Sequence, residues 1–401
     1  MDKALSGVRI LDFSHLLQGP FATQLLADMG ADVIKIERAG PGDLFRSMTF
    51  FAKWVGGSES PNFLAWNRNK RSIALNLKSR AVHAIIMRMA KDADVVVQNF
   101  RPGVMARLGY GYEDFKAANP AIIYCSGSGY GEEGPYLERP GQDMLIQGLV
   151  GLATNTGRGD GPPVPAGSGM ADQIGAMNMV YGILSALYYR EKTGKGQKIE
   201  VNLLAGMLAN LGQEYCAVLN LGEDFVRPNS GIGHPGMQAP FGIYETNDHR
   251  YVSIAMSPFK TLYETLEAPG LAVYDELSTL FAKRDEVWAH VNAETRKFAM
   301  DDLLDRLLAA DIWCAPVQDI RQASEDPQVT HMGMIQSYEH PKAGTVRVVG
   351  PAVRMSETPP SIERPAPMVG EHGREILAEL GLSTAEIDAL EAAGDMTIER
   401  A

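Results

Sequence analysis

The strongest constraint on the fold comes from short apolar runs that alternate with helical patterns along the first part of the chain. Residues 8–13 form an apolar run suited to a buried strand, and apolar side chains recur at helical spacing between residues 21 and 29. Residues 32–36 form a second apolar run. A strand, a helix and a strand within about 30 residues make a βαβ unit, which favours a parallel sheet.

The same alternation continues towards the middle of the chain. We predict strands at residues 72–75, 95–97, 122–126 and 198–201, and helices at residues 79–90, 173–190 and 203–219. Residues 127–141 are rich in Gly and Pro and carry neither pattern, so we expect a long loop there, where functional residues are often found. These elements predict an α/β protein.

The length of 401 residues favours two domains over a single core. The composition shifts to Gly, Pro, Asn and Ser at residues 227–240, where we place a boundary. The predicted division is a large domain over residues 1–225, a small α+β domain over 226–325, and a C-terminal segment, 326–401, that returns to the large domain.

Charge and cysteine content exclude several classes of function. The formal net charge of -12 argues against a general nucleic-acid or anionic-membrane binder, although a local cluster of Arg and Lys could still hold an anion. Cys125, Cys216 and Cys314 lie far apart, so neither a zinc site nor a disulfide framework is suggested, and we expect no metal. With no signal-like start and no apolar run near 18 residues, we expect a soluble, cytoplasmic protein.

Asp172 is the most informative carboxylate. It stands between a loop of small residues, 166–169, and a long apolar helix. From position alone an N-cap is favoured, in which Asp accepts a hydrogen bond from an N2 or N3 amide. The helix N-terminus would also lower the pKa of this carboxyl group and keep it ionised.

Two other patterns are less specific. Residues 129–134 match G-x-G-x-x-G, but Pro135 and Pro140 stand where a dinucleotide fold needs a helix, so a loop is favoured over a nucleotide site. Cationic side chains also recur near predicted strand ends or helix starts, where open α/β sheets bind ligands, and from the residues alone an anion site and an ordinary surface are equally supported. They are Arg38, Lys70, Arg71, Lys78, Arg101 and Arg107.

Several stretches, taken together and in order, resemble the family III CoA-transferases of the formyl-CoA and carnitine-CoA transferase type. They are LSGVRILDF at residues 5–13, Gly19-Pro20, GADVIKIE at 30–37 with Gly42-Asp43, NKRS at 69–72 with LNLK at 75–78, ADVVVQNFRPG at 93–103, TGKGQ at 193–197 and the C-terminal region 369–380. The resemblance covers nearly the whole chain.

The resemblance implies a fold and an assembly that the periodicity does not. The family fold is a Rossmann-like large domain plus a small α+β domain. The chain forms a ring, and two rings interlock in a homodimer. The implied substrates are an acyl-CoA donor and a carboxylic acid acceptor, with coenzyme A as the group that is moved and no metal.

The resemblance also assigns candidate site residues. Asp172 matches the catalytic aspartate of the family, so the resemblance favours a role as nucleophile over a role as helix cap. The matches to the CoA contacts are Arg38, Leu75, Lys78, Asn99, Phe100 and Arg107. The best match to the mobile glycine lid is residues 231–236, with Gly231, Gly233 and His234. The candidate substrate contacts are His15, Gln18, Gln142 and Asp143; Asp143 is equally suited to a turn or cap role.

The implied reaction is covalent. Asp172 attacks the donor thioester and forms a mixed anhydride, the CoA thiolate returns to give an aspartyl-CoA thioester, and the acceptor acid takes over the CoA through a second anhydride. Backbone amides at a helix start or a Gly-rich loop would stabilise the oxyanions.

Rival functions remain open at this point. The same fold hosts α-methylacyl-CoA racemases, but Gln142 stands where their His would be, and Gln cannot exchange a proton near neutral pH. A non-catalytic CoA-binding protein would keep the cationic residues and do no chemistry, and a nicotinamide-dependent dehydrogenase would need a proper Gly-rich turn. Leu17 replaces a Gln of the formyl-CoA enzymes, so we expect a larger or less polar acid than oxalate, such as a dicarboxylate or a branched or unsaturated acid.

Overall fold

A computed structural model describes residues 3–399. The strands are β1 (Arg9–Asp12), β2 (Asp32–Arg38), β3 (Arg71–Leu75), β4 (Val95–Gln98), β5 (Ile123–Ser128), β6 (Lys198–Asn202), β7 (Gly242–Glu245), β8 (Tyr251–Ile254), β9 (Cys314–Pro316), β10 (Ile335–His340), β11 (Gly344–Val349) and β12 (Met396–Thr397).

The α-helices are α1 (Gln18–Asp28), α2 (Pro61–Trp66), α3 (Arg80–Ala90), α4 (Val104–Arg107), α5 (Tyr112–Ala118), α6 (Asp143–Leu149), α7 (Leu152–Asn155), α8 (Met170–Thr193), α9 (Leu203–Asn210), α10 (Gly212–Leu221), α11 (Phe259–Thr265), α12 (Leu277–Ala282), α13 (Arg284–Thr295), α14 (Met300–Ala309), α15 (Ile320–Glu325), α16 (Pro327–Met332), α17 (Gly373–Glu379) and α18 (Thr384–Ala392).

The chain folds into two compact units. The larger contains the chain up to residue 146, Gly169–Asn210 and the chain from Pro327 onward, and the smaller contains Gln147–Ser168 and Leu211–Asp326. The smaller unit thus includes residues 147–168 and 211–225, which the sequence placed in the large domain. The chain re-enters the larger unit at Pro327, next to the predicted boundary at residue 326.

A seven-stranded sheet forms the centre of the larger unit, with the order β12-β3-β2-β1-β4-β5-β6. Strands β1 to β6 are parallel, and β12 pairs with β3 in antiparallel orientation. The order 3-2-1-4-5-6 is that of a Rossmann sheet, and it reverses between β1 and β4. The predicted parallel α/β sheet is therefore confirmed.

Each face of this sheet is covered by its own apolar layer, because successive side chains of a strand point to opposite faces. On one face Leu11 and Val96 pack with apolar residues of α3, and on the other Ile10 and Val95 pack with apolar residues of α1 and α8. The strands accordingly read as continuous apolar runs in the sequence, which is typical of parallel sheets buried on both sides. Helix α8 is held firmly against the sheet, and this fixes the position of its first turn.

Two elements differ from the prediction for the larger unit. The predicted helix 203–219 is divided into α9 and α10, with Leu211 between them outside helical geometry, and the division between the two units falls there. Strand β12 was not predicted, because two residues give no periodic signal and β12 depends on pairing with the distant β3.

The smaller unit contains a three-stranded antiparallel sheet, β7-β8-β9, with helices packed on it. Its core includes Tyr244, Val252, Leu262 and Val287, all fully or almost fully buried. This antiparallel sheet with helices agrees with the α+β character expected for the small domain. No helix within residues 3–399 is long and apolar enough to cross a membrane.

Candidate active site

A cavity of about 160 Å³ lies at the carboxyl ends of the central strands of the larger unit. Its walls include residues 16–18 after β1, residues 99–102 after β4, and residues 128–131 at the end of β5. Asp172, from the first turn of α8, also lines it. Open α/β sheets bind ligands at the point where the strand order reverses, and here that point lies between β1 and β4.

The loops after β1 and β4 are locked to each other. The side chain of Asn99 accepts a hydrogen bond from the His15 N–H (2.7 Å) and donates one to the His15 carbonyl oxygen (2.8 Å). The rings of His15 and Phe100 meet edge to face at 4.5 Å. Burial lowers the pKa of His15, although Asp43 acts in the opposite direction, so this imidazole is neutral at pH 7. His15 therefore holds the loops and carries no charge.

Gln18 is buried and closely packed beside the cavity. Its side chain is only 3% exposed. A Cβ added to Gly127 would lie 2.6 Å from Gln18 Oε1, and one added to Gly175 would lie 2.7 Å from Gln18 Nε2. The amide group is thus held between β5 and α8, at a distance that only glycine permits on either side.

Asp172 occupies the third position of the 24-residue helix α8, and Gly169 is the N-cap. Asp143 provides the capping oxygen instead: its Oδ1 accepts hydrogen bonds from the N–H groups of Ala171 (2.6 Å) and Asp172 (3.3 Å). The N-cap interpretation of Asp172 is therefore wrong, and the side chain of Asp143 binds the first turn of α8 across 29 positions of the chain. This leaves the Asp172 carboxylate available to the cavity.

The environment of Asp172 favours the neutral acid. Burial, and to a smaller extent the negative charge of Asp143, raise the pKa of Asp172 to about 7. The expectation of a lowered pKa is not met, because desolvation and a neighbouring carboxylate together outweigh the helix N-terminus. Buried carboxyl groups with such shifted pKa values are common in active sites.

A buried network of charges lies under the loop that follows β1. Lys70 Nζ contacts Asp12 (3.1 Å), and Lys35 Nζ contacts Asp43 (2.8 Å); all four side chains are at most 1% exposed. Asp43 Oδ1 accepts a hydrogen bond from the N–H of Leu16 (3.2 Å), a residue with φ of 63°. The network thus holds a strained backbone in place directly before Gln18. Sequence reasoning noticed Lys70 only as one of several cations near strand ends, in an anion site or on an ordinary surface, since nothing local marks it as buried.

The amino-acid pattern as a whole matches one family. The model of CoA-transferase family III matches residues 5–373. The chain belongs to CoA-transferase family III.

Individual relatives support this family III assignment. The chain is 36% identical to the human succinyl-CoA:glutarate CoA-transferase over 94% of its length and 86% of that protein. It is 36% identical to the acetyl-CoA:oxalate CoA-transferase of Acetobacter aceti, over 95% of this chain and 96% of that protein. A crystal structure of a CAIB/BAIF family protein from Brucella suis is 32% identical and superimposes with a TM-score of 0.83, covering 95% of this chain and 100% of that one.

The residues that the family III resemblance assigns to CoA lie along one edge of the large sheet. Arg38 ends β2, Leu75 ends β3, and Asn99 and Phe100 follow β4. Lys78 lies before α3, and Arg107 ends α4 with its guanidinium over Gly103. Of these, only Asn99 and Phe100 line the cavity with Asp172.

Sequence reasoning missed part of the cavity wall. Tyr136 and Arg139 also line it, and the Arg139 guanidinium lies 3.7 Å from the centre of the Tyr136 ring. Both belong to the long loop between β5 and α6, which the sequence marked only by its Gly and Pro content. Gln142 lines the cavity as well, and its Oε1 accepts a hydrogen bond from the Met144 N–H at the start of α6 (3.2 Å).

The candidate lid residues belong to the smaller unit, where they line a cavity of about 700 Å³. The Gly233 N–H donates to the Phe241 carbonyl (2.9 Å), and the Gly231 carbonyl accepts from Ile243 (2.8 Å). His234 Nε2 lies 3.2 Å from Glu214 Oε1. This segment is held by backbone pairing in the structure, and its role as a lid stays a prediction.

The residues that the structure describes contain no group of three or more His, Cys, Asp or Glu side chains arranged to hold a metal ion.

Proposed function

We propose that this family III enzyme moves CoA between two carboxylic acids and carries the reacting acyl group on Asp172. The observation that carries the proposal is that Asp172, a half-buried carboxylate with a pKa of about 7 that takes no part in capping its helix, lies in the cavity at the reversal point of the sheet. Such a carboxylate is about half ionised at pH 7. It is also more basic than an ordinary aspartate, and therefore a better nucleophile towards a thioester.

Each step of the proposed reaction exchanges one activated acyl derivative, a thioester or an anhydride, for another. Asp172 attacks the thioester carbonyl of the donor and releases CoA thiolate, which leaves a mixed anhydride. The thiolate attacks the aspartyl carbonyl, forms the aspartyl-CoA thioester and releases the donor acid. The acceptor carboxylate then attacks this thioester, and CoA thiolate attacks the acyl carbonyl of the second anhydride, giving the new acyl-CoA and free Asp172.

Unpaired cations support CoA as the substrate of this site. Arg38, Lys78, Arg101 and Arg107 are exposed and have no carboxylate within 4.0 Å among residues 3–399, whereas Arg46 and Arg71 are fully engaged in ion pairs. The four free cations follow β2, β3 and β4 at the same edge of the sheet. Phosphate groups of CoA would match them through bidentate pairs with Arg and a point contact with Lys.

Gln142 favours transfer over racemisation. Its exposed amide is engaged at the start of α6 and cannot exchange a proton near neutral pH. A racemase would need a second acid or base opposite Asp172. Incubation with a 2-methylacyl-CoA in heavy water decides between the two: we expect no exchange of the α-proton, and exchange without transfer would establish the racemase.

The substrate acid is proposed to be larger or less polar than oxalate. Leu16, Leu17 and Phe100 give the cavity an apolar wall where the formyl-CoA enzymes carry a Gln at the place of Leu17. The relatives named above are described as acting on glutarate and on oxalate. A panel of acceptor acids with succinyl-CoA and acetyl-CoA as donors tests the proposal, and oxalate as the best acceptor would overturn the preference.

The interlocked homodimer implied by the family resemblance is also proposed here. Light scattering coupled to size-exclusion chromatography should give twice the chain mass of 43.6 kDa. A monomer at assay concentration would contradict it.

A further inference from the structure

Gln18 carries a polar group that the protein itself does not satisfy. Its Nε2 is fully buried and has no hydrogen-bond partner among residues 3–399. A buried donor left unpaired destabilises the fold, because it loses its hydrogen bond to water and gains no other.

The position of this amide is fixed from three sides. The strained Leu16, held by Asp43, sets the direction of the chain entering α1. Gly127 and Gly175 then confine the amide from β5 and α8, because any side chain at either position would collide with it. A side chain confined in this way can present a donor without reorganisation, which is the condition for efficient stabilisation of a transition state.

Gln18, which belongs to α1, packs against the face of α8 that also carries the nucleophile Asp172. Residues three apart on a helix are neighbours, so the turn at Gly175, which Gln18 contacts, follows directly after the turn that bears Asp172. Helical side chains lean towards the N-terminus, so the side chains of this face project towards the cavity end of α8. Both Gln18 and Asp172 line that cavity.

We infer that the side-chain amide of Gln18 donates a hydrogen bond to the carbonyl oxygen of acylated Asp172 and stabilises the oxyanion that forms on it. The inference rests on the proposed role of Asp172. When CoA thiolate attacks the aspartyl carbonyl carbon of the anhydride, the C–S bond forms, the carbonyl oxygen takes the negative charge, and the C–O bond to the donor acid then breaks. The amide keeps both of its protons throughout.

The decisive variant is Gln18→Met, which keeps the volume and removes the donor. We expect kcat to fall about 10²–10³-fold, as for loss of one oxyanion donor, with the KM for acyl-CoA and the acidic limb of the pH profile unchanged. A fall in kcat smaller than about 10-fold would overturn the inference. The matched control is Gln24→Met, because Gln24 is also buried on the same helix, away from the residues that line the cavity, and accepts a hydrogen bond from the Arg68 N–H. This control should lower Tm and leave kcat unchanged.

A second variant covers the case in which Gln18→Met does not fold. Gly175→Ala leaves Gln18 intact but places a methyl group against its amide, and Ala is better suited to a helix than Gly. It should lower kcat about 10-fold or more, and an unchanged kcat would overturn the inference. Hydroxylamine trapping on the wild-type protein separates the two proposals. A trapped Asp172 adduct with an unaffected Gln18 variant overturns this inference alone, whereas the absence of any adduct overturns the role of Asp172 and the inference with it.

Discussion

Asp12, which is buried, and Asp172, which is half-buried, are both carboxylates of the larger unit, yet their surroundings are opposite. Asp12 contacts Lys70 at 3.1 Å and accepts hydrogen bonds from Ser14 and Thr23. Burial alone would raise the pKa of Asp12, but Lys70, Lys35 and these hydrogen bonds outweigh burial and hold that pKa far below its ordinary value. Asp172 has Asp143 as its charged neighbour, and burial raises the pKa of Asp172 to about 7.

The difference shows how one residue type serves two purposes within the larger unit. A buried carboxylate surrounded by cations and donors is inert, because every lone pair is engaged, and it holds the loop that leads to Gln18. Asp172, a half-buried carboxylate next to another carboxylate, is poorly stabilised as an anion and is therefore suited to forming a covalent bond. The predictions below test this contrast, beginning with the largest expected effect.

Asp172→Asn should remove catalysis, with kcat lowered on the order of 10⁴-fold or more because the covalent route is lost. The same variant should be more stable than the wild type at pH 8. The folded protein keeps this carboxyl proton up to a pKa of about 7 and the unfolded chain loses it near 3.8, so wild-type stability falls as the pH rises through that interval. Thermal unfolding at pH 8 and at pH 4 checks this. A stability gain that is equal at both pH values would contradict the assignment.

Lys70→Met should destabilise the fold by about 3–5 kcal/mol at pH 7, because the charge of Asp12 stays buried without its nearest cation. Burial lowers the pKa of Lys70 to about 8, although the negative charge of Asp12 opposes that shift. Each charge of the pair therefore helps to keep the other ionised. Urea unfolding measures the effect. The double variant Lys70→Met/Asp12→Asn should recover part of the loss, and no recovery would show that the loss does not come from the unpaired charge of Asp12.

Asp143→Asn should move the acidic limb of kcat/KM from about pH 7 to lower pH, since the negative charge next to Asp172 is removed. The limb should not return to 3.8, because burial is the larger cause of the raised pKa and persists. The Asn side chain still offers an oxygen to the Ala171 and Asp172 amides, so α8 stays capped. An unchanged limb would mean that the two carboxylates do not interact.

Arg38→Ala and Lys78→Ala should each raise the KM for acyl-CoA about 10-fold while kcat stays within about twofold, because a phosphate contact acts far from the reacting atoms. The effect should shrink at high salt. Arg88→Ala is the matched control, since Arg88 is an exposed cation in the last turn of α3, away from this edge of the sheet. An equal rise in KM for the control would show a general charge effect.

Much of the larger unit could be predicted from the sequence, because its strands are buried on both faces and carry continuous apolar runs. Residues 8–13, 32–36 and 95–97 were placed on the strands that the structure contains, and the long helix from residue 173 was found with its start three residues late. The Rossmann order of the sheet was implied only by the family resemblance, since strand order has no local signal.

The sequence allowed some residues of the candidate site to be named, but it did not predict the contacts that these residues make. Asp172 and the segment 99–100 could be named from motifs, but the cap from Asp143 spans 29 positions of the chain and left no local pattern. The burial of Lys70 and the raised pKa of Asp172 likewise arise from packing between distant segments. The unpaired amide of Gln18 depends on Gly127 and Gly175, which are ordinary glycines when read in the sequence alone.

The most direct test of the contrast between the two carboxylates is peptide mass spectrometry after mixing the protein with a panel of acyl-CoAs and hydroxylamine. The account predicts a hydroxamate on Asp172 and none on Asp12, and no adduct in the Asp172→Asn variant. A protein that binds acyl-CoA tightly and exchanges CoA between acids without any trapped adduct on Asp172 would contradict the account, and tight binding with neither exchange nor adduct would establish a non-catalytic CoA-binding protein.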